Sequence, residues 1–215
     1  MIEYRSGAGS AQNNGRTMQA VETDFMEQLS RLSQRKQLAF LLLTCVRHFH
    51  YLNEFSSETG FYISEHSSRL SEVWTFLEEA ESHFKHIYAD HLSPNPLPAP
   101  DTEDFDNFYT SAALNAVLLI DTAFEFALYG RSKDLREAVT LARDTAFIYS
   151  QIPNDTPSYS SVKVVEVQSG LIRCEERSEL DDFEFLLKLD DSYGKDFVTA
   201  IRTRASSAIP SCLYQ

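Results

Sequence analysis

Residues 100–130 read PDTEDFDNFYTSAALNAVLLIDTAFEFALYG. Four acids, Asp101, Glu103, Asp104 and Asp106, crowd the front, an apolar run follows, and Gly130 closes it. The stretch is a helix start, an acidic binding site or a membrane segment. Asp121 and Glu125 interrupt the apolar run about one turn apart, and carboxylates inside a bilayer are costly. The composition therefore fits a buried core helix better than a membrane span. Asp101 or Thr102 is expected as N-cap, with the acids of the first turn facing the positive end of the helix dipole. Gly130 suits the left-handed residue that ends a helix. The expected helix has about 25 residues and is about 38 Å long at 1.5 Å per residue.

Around this centre the chain punctuates itself into further helices. Val21, Phe25, Leu29 and Leu32 recur at helical spacing. Ser33 is placed to cap a second helix, QLAFLLLTCVRHFHYLNEF, which is apolar on most sides and ends at Thr59-Gly60. A third helix is expected from about Ser67 to Asp90, with Val73, Leu77, Phe84, Ile87 and Tyr88 on one face. The four prolines in SPNPLPAP make a stiff connector. Ser132 is expected to cap a fifth helix whose inner side holds Leu135, Val139, Ala142, Ala146 and Phe147. SSVKVVEVQSG reads as strand on its β-branched content. Ser178 with Asp181 reads as a capping box opening DDFEFLLKLDD. Phe197, Val198, Ile201 and Ala205 mark a last helix, and Pro210 stops it. The expected fold is all-α: one compact domain of seven to eight helices around a buried central helix. It spans residues 19–215 behind a flexible arm over 1–18.

The 215 residues carry a net charge of −13, with 43% hydrophobic and 12% aromatic residues. Such a chain can fill a real core. Its charge disfavours binding to a phosphate backbone, so no nucleic-acid partner is expected. Nine acids between Glu72 and Asp106 face Lys85 alone. Eight acids between Glu175 and Asp191 face Arg177 and Lys188. These two stretches account for the charge. They are either solvated surface or a face for a basic protein partner. On the second reading the partner-facing acids are Asp101, Glu103, Asp104 and Asp106 in one patch. The other patch holds Glu175, Glu176, Glu179, Asp181, Asp182, Asp190 and Asp191. Neutralising Glu175, Glu176, Glu179 and Asp190 is expected to leave the fold intact and slow association. The three cysteines, Cys45, Cys174 and Cys212, form no CxxC pair. Their odd count argues against a disulfide framework and for a reducing cytoplasm.

In order along the chain stand Leu38-x-Phe40, Cys45, Arg47, Phe55 and Trp74. Then come a proline, two acids, Phe105-Asp106 and a small-residue helix start, followed by Leu135-x-x-Ala138-Val139, Asp196 and Arg204. This order resembles the YjaG-like family of bacterial proteins, a domain-of-unknown-function family, over about residues 30–210. The resemblance implies an all-helical fold, implies helix rather than strand at SSVKVVEVQSG, and brings no activity. It also implies two departures: Asn115 and Val46 stand where relatives carry acids. Any chemistry those acids perform is lost here.

The remaining candidates for chemistry are few. Glu79, His83, His86 and Asp90 would share one helix face, a donor set suited to zinc, iron or manganese. That face points away from the apolar one and is expected to be exposed and metal-free. His48 and His50 project to different sides, so they do not read as a ligand pair. Cys45 reads as a small buried hydrophobe. Arg47, among apolar residues, needs a carboxylate, and Asp121 and Asp106 are the expected partners. No P-loop, GxGxxG or GxSxG is present, and no cofactor is expected. The functional expectation is a non-enzymatic cytoplasmic protein-binding module. One form would be an acidic immunity-type inhibitor of a basic toxin such as a nuclease. The alternatives are an enzyme with a carboxylate/His metal site between helices and a housekeeping protein of unknown role. A homodimer stands beside the heterologous partner, and no membrane association is expected.

Overall fold

A computed structural model describes residues 24–79, 95–105, 109–150, 161–190 and 195–207. Among the described residues there are seven helices and no strand. They are α1 over 24–30, α2 Gln34–Thr59, α3 Ser64–Glu78 and α4 Thr110–Tyr129. After these come α5 Ser132–Ser150, α6 Ser161–Lys188 and α7 Lys195–Ser207.

Two apolar helices share the centre. In α2 the residues from Leu38 to Cys45 are all buried, because this helix is covered on nearly every side. Ser33 begins it as expected, its side chain accepting a hydrogen bond from the Lys36 amide at 3.3 Å. Gly60 ends it in the left-handed conformation, φ 76°. α4 lies against α2, α3 and α5, burying Ala113, Ala116, Leu119, Ile120, Phe124 and Phe126. By length and composition α4 is apolar enough to cross a membrane, yet 67% of that stretch is buried inside this fold. It contributes a core helix, as the interrupting carboxylates implied. Cys45 ties the two helices: its thiol donates to the Leu119 carbonyl at 3.3 Å, and burial pushes the thiol up to about 12.

α4 departs from expectation in two ways. It is 20 residues long and begins at Thr110, with no side-chain cap at Tyr109. Asp101 closes a separate turn instead, its Oδ1 accepting from the Glu103 amide at 2.8 Å. The acids before Phe105 therefore stand off the helix dipole. α4 is also not surrounded: Leu118 is 40% exposed. Asn115, Asp121, Glu125 and Tyr129 continue that outer strip at helical spacing. Gly130 ends α4 as expected, with φ 63° and its amide on the Phe126 carbonyl at 2.7 Å. A side chain there would also meet Gln34 at 2.3 Å.

The connector is pinned rather than loose. Asp121 accepts from the Leu97 amide at 3.1 Å, His66 Nε2 lies 2.7 Å from the Pro98 carbonyl, and Leu97 is buried. α3 is shorter than expected, because Glu79 takes an extended conformation with ψ 141°. α5 begins at Ser132 and buries Leu135, Val139, Ala142 and Ala146, but Phe147 points out at 49% exposure. The stretch read as strand on propensity is the start of α6, as the family resemblance implied. β-branched residues lose only about 0.7 kcal/mol or less each in a helix, which propagation along a 28-residue helix absorbs. No capping box opens at Ser178, because the helix runs through it. Ser178 Oγ donates to the Cys174 carbonyl at 2.9 Å, a bond within one helix.

Candidate functional site

The inner edge of α6 carries three buried carboxylates. Glu175, Glu179 and Asp182 stand at i, i+4 and i+7, so a continuous helix turns all three to one side. Their exposures are 5%, 1% and 1%. α6 packs against α5 and α2, and three guanidinium groups meet the three carboxylates.

Arg47 of α2 is the hub. Its Nη2 and Nε lie 2.8 and 3.2 Å from Glu175 Oε1, Nε reaches Glu175 Oε2 at 3.2 Å, and Nη1 lies 2.5 Å from Asp182 Oδ2. Arg204 of α7 donates from Nε to Asp182 Oδ1 at 2.8 Å. Arg143 of α5 donates from Nε and Nη2 to Glu179 Oε2 at 3.0 and 2.7 Å. His48 Nε2 lies 3.3 Å from Glu175 Oε1. His50 takes the remaining position, with Nδ1 2.7 Å from the Arg47 carbonyl.

The electrostatics follow from burial and pairing. Burial alone would raise the Glu175 carboxyl, but Arg47 and His48 outweigh it and hold it below the usual carboxylate range. Burial would lower Arg47, and Glu175 and Asp182 reverse this and raise it. Burial lowers His50 to about 4, so its ring is neutral at pH 7. A neutral ring with its proton on Nδ1 donates to the Arg47 carbonyl. Buried ions need such partners, because an unpaired buried charge is far costlier than the pair is favourable. Chemically, the arrangement ties α6 to three helices: Arg47 joins it to α2, Arg204 joins it to α7, and a separate pair, Arg143 with Glu179, joins it to α5.

This geometry redistributes the residues expected to face a partner. Glu175, Glu179 and Asp182 point inward and are engaged with arginines, so they form no surface patch. Glu176, Asp181 and Asp190 stay at least partly accessible, as do Asp101, Glu103 and Asp104 on the turn before α4. Asp106 and Asp191 lie outside the described residues. Arg47 has its carboxylates in Glu175 and Asp182, and Asp121 is not one of them. Asp121 instead meets Arg69 Nη1 at 3.4 Å. The expected histidine stripe fails at its first member, since Glu79 is not helical; His83, His86 and Asp90 lie outside the described residues. Among the described residues no three His, Cys, Asp or Glu side chains come together to hold a metal ion. Cys45 is free, and Cys212 lies outside the described residues. Arg143 drew no attention in the sequence. Its signal was a basic residue on the half-apolar α5, opposite a helix with three carboxylates at inner-face spacing.

The fold and the network together define a class: an all-helical domain closed around a buried arginine–carboxylate network. The chain belongs to the DUF416 family, whose model, described as "Protein of unknown function (DUF416)", matches residues 24–208. A crystal structure of a DUF416 family protein from Shewanella baltica OS155 has the same fold, with a TM-score of 0.66. The two chains are 18% identical, and the match covers 86% of this chain and 97% of that one. No curated protein matches the sequence.

Proposed function

We propose that this chain is a non-enzymatic protein-binding module that meets a basic protein partner through its exposed acids. The observation that carries this reading is a sorting of charge. Arg47, Arg143 and Arg204 are engaged with carboxylates inside the helical bundle. Asp101, Glu103 and Asp104 stand exposed together on one turn, and Glu176, Asp181 and Asp190 remain accessible at α6. The mutual pairing of the inner ions supports a scaffolding role for them rather than a catalytic one. In its sharpest form the function is that of an immunity-type inhibitor covering a basic toxin such as a nuclease; charge complementarity is its support. We also place the chain among YjaG-like members of its family, on the order and spacing of the residues from Leu38 to Arg204. Cytoplasmic placement belongs to the same proposal.

The test begins with capture of a partner from the source organism and measurement of its association rate between about 0.01 and 0.15 M salt, where the screening length falls to about 8 Å. Asp101→Asn, Glu103→Gln, Asp104→Asn, Glu176→Gln, Asp181→Asn and Asp190→Asn are then combined. Asparagine at 101 retains the oxygen that closes the turn. The combined variant is expected to fold and to associate more slowly, with a weaker salt dependence. An acidic partner, or an association rate indifferent to both salt and the six changes, would leave these acids as solvated surface.

A further inference from the structure

The three carboxylates on the inner edge of α6 are not equally served. Asp182 receives one guanidinium on each oxygen, from Arg47 and from Arg204. Glu175 is contacted by Arg47 on both oxygens. Glu179 differs: both bonds from Arg143 fall on Oε2. Its other oxygen, Oε1, is buried and has no hydrogen-bond donor among the described residues. A buried, donorless carboxylate oxygen is costly chiefly while the group is charged, and a proton removes that charge. Protonated at Oε1, the side chain still accepts both Arg143 bonds through Oε2.

The charged surroundings of Glu179 come from every helix that packs on this edge. From α5 there is Arg143; from α2, Arg47; from α6 itself, Glu175 one turn earlier. His48 and His50 sit further along α2 against Glu175 and the Arg47 carbonyl. Arg204 of α7 is engaged with Asp182. The positive groups therefore concentrate on Glu175 and Asp182, and Glu179 is left with the weakest claim to a charge.

We propose that Glu179 is a proton-binding site that latches α6 onto α5: with the proton bound α6 is held firmly, and with the proton lost its docking loosens. Burial raises the carboxyl to about 7, against the pull of the Arg143 hydrogen bonds and charge, with Glu175 adding to the rise. A folded value above the unfolded one means the contribution is fully present below the ordinary carboxylate range and is lost as pH rises through about 7. The latch thus operates near neutral pH, where an ordinary glutamate does not titrate.

The experiment is hydrogen exchange of the full chain, read on peptides covering residues 170–190 and corrected for the intrinsic rate at each pH. Wild type is compared with Glu179→Gln, so that other titrating groups cancel in the ratio. Between pH 6 and pH 8 the protection of wild type relative to the variant is expected to fall by about tenfold, the proton-linkage for one group with these two end values. A ratio that stays constant overturns the latch. Should Glu179→Gln fail to fold, carboxyl carbon NMR of wild type decides. A glutamate resonance titrating near neutral pH supports the site, and titration of every glutamate below about pH 5.5 overturns it.

Discussion

Arg47 Nη1 lies 2.5 Å from Asp182 Oδ2, and both side chains are 1% exposed. The pair joins α2 to α6 across 135 residues of chain. Together with Glu175, it makes the interior of this helical domain partly ionic, and the energetics of the fold turn on that.

Removing the hub charge strips Glu175 of its guanidinium and leaves Asp182 with Arg204 alone. Arg47→Met is expected to destabilise the protein by about 3–5 kcal/mol, the usual cost of breaking a buried pair from one side. Denaturant unfolding reads this. A loss under about 1 kcal/mol would show that water or rearrangement compensates Glu175 and Asp182 without Arg47.

The outer strip of α4 separates two adjacent leucines. Leu119 is 1% exposed and Leu118 is 40% exposed. Leu119→Ala is expected to cost about 2–5 kcal/mol and Leu118→Ala under about 1 kcal/mol. Equal midpoints in thermal melts of the two variants would contradict the packing of α4.

Stability on the acid side carries a signature of His50. Its folded value is lowered to about 4 from 6.5. The unfolded chain therefore binds a proton first as pH falls. The contribution of a neutral His50 is full above pH 6.5 and is lost between 6.5 and 4. The stability of wild type relative to His50→Asn is thus expected to decline over that window. A difference that is constant from pH 7 to pH 4 would mean that His50 is not held neutral.

The acids ahead of α4 are not on its dipole. Glu103→Gln and Asp104→Asn should each leave stability within about 0.5 kcal/mol, as for surface changes away from special features. Asp101→Ala should cost more, on the order of 1 kcal/mol, because the turn loses its hydrogen bond to the Glu103 amide. Three equal effects in denaturant melts would restore the dipole account.

Much of the fold was legible because its cues were local. Ser33, Gly60 and Gly130 act where their chemistry placed them, and the apolar run of α4 is a core helix. The failures came where tertiary context decides. The Val-rich start of α6 is helical because a long helix carries it. Ser178 mimicked a cap within that helix, and accepting it as one broke the i, i+4, i+7 relation of Glu175, Glu179 and Asp182. Once the relation was broken, three inner carboxylates looked like surface charge. That Arg47 needs an acid is legible from its apolar neighbours, but which acid depends on the α2–α6 packing, and no spacing rule reaches across 135 residues.

The central claim is that the acids of α6 divide into an inner set that holds the fold and an outer set that does not. One comparison of unfolding free energies tests it. Glu175→Gln with Asp182→Asn changes the inner set, and Glu176→Gln with Asp181→Asn changes the outer. The inner pair is expected to lose at least about 3 kcal/mol, leaving Arg47 as an uncompensated buried cation. The outer pair is expected to stay within about 0.5 kcal/mol. An outer pair as damaging as the inner one, or an inner pair without effect, would contradict the claim.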